Sequence, residues 1–222
     1  MWSIGLRNKK VIELLSKFMS LEPEKRDRII NAALAEFSQR GYKNASTNEI
    51  VKQAGISKGL LFHYFSNKMS LFLFLYTYAT EVFEEEFYSK LDCNEPDIIR
   101  RLRQIAILKL ELIQRHPDLY NFLLTAFGED NPEIRHELED KNKDVFEKAY
   151  KALLENINIL QFKDGLEPEK VLMIFLWVTQ GLGNRELERI KLDPAYKVNY
   201  DLEKIMSEFD DYLVLLQKVF YK

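Results

Sequence analysis

Three helix-start signals and two glycine stops fall between Gly41 and Lys68, a denser punctuation than anywhere else in the chain. Ser46-Thr47-Asn48-Glu49 has the form of a capping box, in which the Ser46 hydroxyl takes the Glu49 amide while the Glu49 carboxylate reaches back. A short helix with Ile50 and Val51 follows and stops at Ala54-Gly55. Ser57 caps a second short helix, Lys58 to about Phe65, and Ser66 can cap a third that starts near Asn67. Two short helices joined by a turn form a helix-turn-helix, whose compact corner lets the second helix enter a major groove while the first braces it. Ile50, Ile56, Leu61 and Phe65 can form the core of that corner. Leu61 and Phe65 are four apart and share one face, which leaves Lys58, Phe62 and His63 on the other, with Tyr64 at the flank.

Elsewhere the helical period dominates and no stretch alternates with period two, so the chain reads as all-α. Val11, Leu14, Leu15 and Phe18 make a short amphipathic stripe, and Ile29, Ile30, Ala33, Leu34 and Phe37 make a second that ends at Gly41. Longer helices are expected at about 67–90, 95–115, 117–128, 132–157, 168–190 and 199–221. Pro96, Pro117, Pro132, Pro168 and Pro194 fall at or near their starts, where a missing amide costs least. The domain reading is an N-terminal extension over 1–22, a helix-turn-helix domain over 23–68, and a larger helical bundle over 69–222 continuous with it.

Charge divides along the same line. The chain carries a net charge of −3, but residues 1–68 hold 12 Lys and Arg against 6 Asp and Glu, leaving the remainder at −9. A basic head on an acidic body suits a head that faces phosphates, although an uneven scatter of solvated faces would give the same count. The apolar runs Leu71–Tyr76 and Val171–Val178 are far shorter than the ~20 residues of a membrane span. No membrane partner and a cytoplasmic location are therefore expected. A single cysteine, Cys93, cannot support a disulfide framework, and His63, His116 and His136 lack metal-ligand spacing. No nucleophile–base pair stands out, so neither a catalytic site, a metal nor a cofactor is expected. His116-Pro117-Asp118 reads as a helix break, and Gly181-Leu182-Gly183 lacks the strand and third glycine of a dinucleotide fingerprint. Those glycines loosen a helix or admit a close neighbour.

The run Tyr42-Lys43-Asn44-Ala45-Ser46-Thr47-Asn48-Glu49-Ile50, followed by Gly55-Ile56-Ser57-Lys58-Gly59-Leu60-Leu61-Phe62-His63-Tyr64-Phe65-Ser66-Asn67-Lys68, closely resembles the TetR family of bacterial transcriptional regulators. The resemblance covers roughly residues 25–72, and several positions agree in register. It implies a DNA interface of Thr47, Ser57, Lys58, Gly59, Leu60, Phe62, His63, Tyr64 and Lys68. Thr47 sits where a hydroxyl and free helix amides hold a phosphate. Lys58 reaches a phosphate or a guanine edge, and Gly59 lets the backbone approach DNA. Tyr64 and Lys68 are further phosphate contacts. Position 62 is usually tyrosine in this family, so Phe62 has no hydroxyl to donate, and reading by Phe62 and Leu60 leans on apolar contact and DNA shape. Taken singly, Leu60 and Phe62 would be ordinary core residues and His63 a solvated histidine.

In the body, Leu202, Ile205, Met206, Phe209, Tyr212, Leu213, Leu216, Val219 and Phe220 repeat at steps of three and four, and the preceding helix is apolar all round over Val171–Val178. Pattern and resemblance together make these helices a two-fold dimer interface, with Leu172, Leu176, Ile205, Phe209, Tyr212 and Leu216 as its contacts; an intramolecular core would give the same pattern. The resemblance further implies a pocket for a small hydrophobic or aromatic effector, lined by Phe83, Phe87, Tyr120, Phe127, Tyr150, Phe175 and Trp177, though an aromatic stripe is more often core.

The implied function is a ligand-responsive regulator, in the first instance a repressor. As a homodimer it would hold double-stranded operator DNA across two major grooves about 34–36 Å apart. A ligand against the helix from about 67 would shift the head and spoil that spacing. An activator fits the same features. An enzyme or a helical scaffold without sequence-specific DNA binding are the competing classes, and a salt-dependent gel shift separates them. Residues 1–22 are either an extra helix whose Arg7, Lys9 and Lys10 touch DNA or the product of an upstream start, Met19 being an alternative.

Overall fold

The computed structural model describes residues 9–192 and 201–222, and every regular element among them is a helix. In chain order these are α1 Lys9–Met19, α2 Pro23–Asn44, α3 Thr47–Ala54, α4 Lys58–Tyr64, α5 Lys68–Phe83, α6 Ile98–Arg115, α7 Pro117–Phe127, α8 Pro132–Leu154, α9 Pro168–Leu192 and α10 Leu202–Phe220. A π-helical turn, Glu84–Tyr88, extends α5, and Ile159–Gln161 is a 3₁₀ turn. Pro23, Pro117, Pro132 and Pro168 each open a helix, as their fixed φ and missing amide favour. Pro194 lies outside the described residues. Among the described residues no helix is long and apolar enough to cross a membrane.

The chain packs as two compact units. The first runs to Glu86 and takes in Leu112–Val145; the second is Phe87–Glu111 with Phe146–Lys222. The reason lies in α2. Its inner stripe of Ile29, Ile30, Ala33, Leu34 and Phe37 is buried, and α7 lies along it as well as α3 and α5. Phe37, Phe72 of α5 and Phe122 of α7 are fully buried and meet with ring centroids 5.1–6.3 Å apart. The Thr125 hydroxyl donates to the Ser38 carbonyl at 3.4 Å, and the Tyr42 amide donates to Glu129 Oε2 at 3.2 Å. Aromatic packing of this kind cannot be divided without exposing three rings.

In the second unit Val171 and Phe175 of α9 pack with Met206, Phe209, Leu213 and Leu216 of α10 and with Ile98 and Leu102 of α6. Arg101 is fully buried here and donates to the carbonyls of Cys93 (2.8 Å), Glu95, Ala152 (3.4 Å) and Glu155 (2.5 Å). It thereby closes the end of α8, whose last carbonyls have no helical partner. The C-terminal tail is clasped by antiparallel bonds, Lys163 N to Phe220 O at 2.8 Å and Lys222 N to Gln161 O at 3.0 Å.

Candidate nucleic-acid interface

The corner between α3 and α4 is built by the signals that announce it. Ser46 caps α3 by accepting from the Glu49 amide at 3.4 Å, and Ser57 caps α4 by accepting from the Leu60 amide at 3.2 Å. Gly55 ends α3 at φ 66°, ψ 38°, a left-handed conformation that glycine adopts without a Cβ clash. Ile50, Leu61 and Phe65 are buried to within 1% of full enclosure, and Ile56 packs against them.

Two capping details differ from the sequence reading. The Ser46 amide is taken at 2.8 Å by Glu36 Oε1 from α2, and Glu49 faces Lys52 at 4.0 Å instead. Glu36 is 3% exposed, and a buried carboxylate requires donors; the Ser46 amide and Arg40 Nε, at 3.3 Å, supply them. The cap of α5 is Asn67 rather than Ser66. Its Oδ1 accepts from the Ser70 amide at 2.8 Å, and Ser70 Oγ accepts from the Asn67 amide at 3.2 Å.

The nine residues expected at DNA divide by environment. Ser57, Lys58, Gly59 and His63 are exposed; Thr47, Leu60, Phe62 and Tyr64 are half-buried. Lys58 Nζ lies 5.9 Å from the centre of the Phe62 ring, so these two share the outer face one turn apart. A Cβ at Gly59 would meet no atom of the chain within 4 Å, so nothing inside the fold requires a glycine there. Lys68 points inward to its own head. Its ammonium donates to the carbonyls of Lys43 and Ala45, at 3.2 and 3.1 Å, and sits 4.8 Å from the centre of the Tyr42 ring. The end of α2 thus uses two of the three N–H donors that a phosphate contact would want.

The residue absent from the sequence reading of this face is Phe18. Helix α1 packs on α4, and Phe18 is fully buried, 5.5 Å from Tyr64, 4.8 Å from Phe65 and 5.3 Å from Phe74 in edge-to-face contacts. Its stripe was legible as amphipathic; its partner was not, because periodicity carries no address. Arg7 lies outside the described residues.

In the helical body the expected pocket residues fall in both units. In the first, Phe83, Tyr120 and Phe127 are half-buried, and burial raises the Tyr120 phenol's pKa. In the second, Phe87 and Phe175 are buried, whereas Tyr150 and Trp177 are 64% and 63% exposed. Of the expected dimer contacts, Leu172, Phe209 and Leu216 are buried in the second unit's own core, Leu176 and Ile205 are half-buried, and Tyr212 is exposed. Helix α10 carries two apolar stripes, with Met206, Phe209, Leu213 and Leu216 turned inward and Tyr212, Leu215 and Val219 outward. Gly181 and Gly183 lie within α9, exposed, and a Cβ on either would touch nothing within 4 Å; the close neighbour expected there is not among the described residues. His116 stands at the break before α7, its Nε2 2.8 Å from Glu86 Oε1, and no metal-binding group of His, Cys, Asp or Glu occurs among the described residues.

Comparison with known proteins agrees with this geometry. Residues 29–75 match the family described as bacterial regulatory proteins, tetR family. The uncharacterized HTH-type transcriptional regulator YuxN of Bacillus subtilis is 29% identical over 190 residues, 85% of this chain and 62% of that protein. The chain thus spans about three-fifths of that relative's length. The fatty acid metabolism regulator protein of Bacillus subtilis is 29% identical over 188 residues, 81% of this chain and 93% of that one. Among solved structures, a TetR family transcriptional regulator from Chloroflexus aurantiacus superposes with a TM-score of 0.68 at 22% identity, covering 93% of this chain and 98% of the other, which establishes the shared fold.

Proposed function

Because the chain belongs to the TetR family of bacterial transcriptional regulators, we propose that it is a cytoplasmic repressor that holds a palindromic operator as a homodimer and releases it when a small apolar effector enters its helical body. The family is one of regulators and not of enzymes. The observation that carries the DNA reading is α4, with Leu61 and Phe65 buried on one side and Lys58, Gly59 and His63 open on the other. Lys58 is the charged member of that open face, and the cation that displaces counterions from a phosphate or pairs with a guanine edge.

The test is an anisotropy titration on DNA from upstream of the chain's own coding sequence, at several salt concentrations. Lys58→Ala should weaken binding at least tenfold and flatten the log–log salt slope by roughly 2, about one phosphate contact per protomer. Equal affinity and slope for the two proteins would remove α4 from the interface. Release by effector requires that effector and operator weaken each other reciprocally. Because α5 and α7 share the first unit's core with α2, a displacement of α5 would carry the head with it.

Dimerisation is supported by the outward face of the second unit. Met173 and Trp177 of α9 and Tyr212, Leu215 and Val219 of α10 are all exposed at 38% or more, and Gly181 lies one turn beyond Trp177. Glycine within a helix costs roughly 0.5–1 kcal/mol relative to alanine, and a closely approaching second helix is a reason to retain it. Trp177→Glu with Leu215→Glu should convert the dimer to a monomer in sedimentation velocity while leaving helicity unchanged. A double variant that still sediments as a dimer would place the interface elsewhere.

A further inference from the structure

Glu36 is the only charged side chain buried among the described residues of the first unit. It stands on a side of α2 whose other buried members, from Ile29 to Phe37, are all apolar, and a charge in such a place is costly unless it is paired. Its Oε1 is shared: the Ser46 amide donates to it at 2.8 Å, and Arg40 Nε lies 3.3 Å away. Holding the Ser46 amide requires an acceptor but no charge, and a glutamine oxygen would serve as well. The charge of the carboxylate therefore answers to Arg40. That ion pair is a poor device for stability, because the Arg40 side chain is 58% exposed and water screens a pair so placed. What the pair fixes is the position of the guanidinium, beside the amide that precedes Thr47.

Attachment through Nε leaves the two Nη groups of Arg40, and no other hydrogen bond or ion pair engages them among the described residues. These paired nitrogens form the planar fork that fits two oxygens of one phosphate. Thr47, the first residue of α3, is where a DNA phosphate is expected. We infer that Arg40 is a further contact to the DNA backbone, closing on the phosphodiester held at Thr47, and that Glu36 is its positioning residue. The inference rests on the DNA reading above and adds to it a residue of α2, outside the helix-turn-helix. Such a contact carries affinity and orientation but no base sequence. It also reverses the sign expected of the buried acid. A negative charge in a DNA-binding head should repel phosphates, whereas this one holds the cation that attracts them.

The experiment uses the full chain, with anisotropy titrations at several salt concentrations on DNA from upstream of its own coding sequence and on a shuffled duplex of equal length. Arg40→Ala should weaken binding about fivefold on both duplexes and flatten the log–log salt slope by roughly 2, one phosphate contact per protomer. Arg40→Lys should restore the slope and part of the affinity, because it keeps the charge without the fork. Glu36→Gln separates positioning from charge. It keeps an acceptor for Ser46 and makes each protomer more positive, which by attraction alone would tighten binding. As the loss of a positioning residue it should instead weaken binding about threefold, the scale of an exposed ion pair, and the double variant should bind like Arg40→Ala. Thermal unfolding of each variant by circular dichroism separates contact from folding. Arg40→Ala should keep the wild-type midpoint, so it decides the contact even where Glu36→Gln unfolds early. A wild-type slope in Arg40→Ala, or a loss confined to the upstream DNA, would remove Arg40 from the backbone. Tighter binding by Glu36→Gln would end the positioning role. Lys58→Ala, run in parallel, keeps the two readings apart. A slope flattened by Lys58→Ala but not by Arg40→Ala sinks the Arg40 contact alone, whereas no salt-dependent binding of either duplex by the wild type sinks the DNA reading with it.

Discussion

Replacing Phe18 with alanine should destabilise the DNA-binding head by about 3–5 kcal/mol, the usual cost of removing a buried phenylalanine. The ring is fully enclosed and touches Tyr64, Phe65 and Phe74 edge-on. Its loss leaves a cavity under the C-terminal end of α4 that helices held at a tight corner cannot close. Tyr64 then loses the surface that sets its ring. Operator affinity should therefore fall more than tenfold even at temperatures where the variant remains folded. Phe18→Leu should recover over half of the stability, since leucine refills much of the volume. Denaturant unfolding followed by circular dichroism, with anisotropy on operator DNA, makes both measurements. A chain started at Met19 and matching the full chain in stability and affinity would show that α1 is ornamental. The burial of Phe18 argues the opposite.

Arg101→Leu should cost about 3–5 kcal/mol in the second unit. Hydrogen bonds from a charged donor contribute roughly 1.5–3 kcal/mol each, and a buried carbonyl stripped of its donor costs 1–3 kcal/mol. Four carbonyls depend on this guanidinium. Against that stands the relief of burying no charge, which desolvation makes substantial here and which its lowered pKa records. The partial cancellation keeps the expected loss to a few kcal/mol. Lysine at this position reaches at most three acceptors with no planar fork, so Arg101→Lys should fall between the two. Chemical denaturation of the three proteins decides it, and a leucine variant within 1 kcal/mol of wild type would mean that water satisfies those carbonyls.

The head was the most legible part of the molecule. Its caps, its glycine stop and its inner face follow from local chemistry, and the structure reproduces each within a residue or two. Even so, the Ser46 amide finds its partner outside the local motif. A capping box is a local motif and names Glu49, whereas Glu36 is ten residues upstream and becomes available only when α2 folds back beside α3. Lys68 shows the same limit. Its place at the start of α5 is plain from the sequence, but its engagement with the end of α2 depends on two helices meeting.

The body was legible as helices and little further. On α10 an apolar repeat at steps of three and four fits two adjacent stripes, and only the packing of α9 decides that Phe209 and Leu216 turn inward while Leu215 and Val219 turn out. Aromatic content likewise could not tell Phe175, fully buried, from Trp177, two residues on and mostly exposed.

By itself, then, the sequence determined an all-helical chain with a helix-turn-helix at its basic end, because caps, glycines and periodicity act within a few residues and need no partner. Tertiary structure alone decided that α1 belongs to the head, that α7 binds α2, and which stripe of α10 is core. Periodicity shows that a helix has an apolar side; only the neighbouring elements determine what covers it.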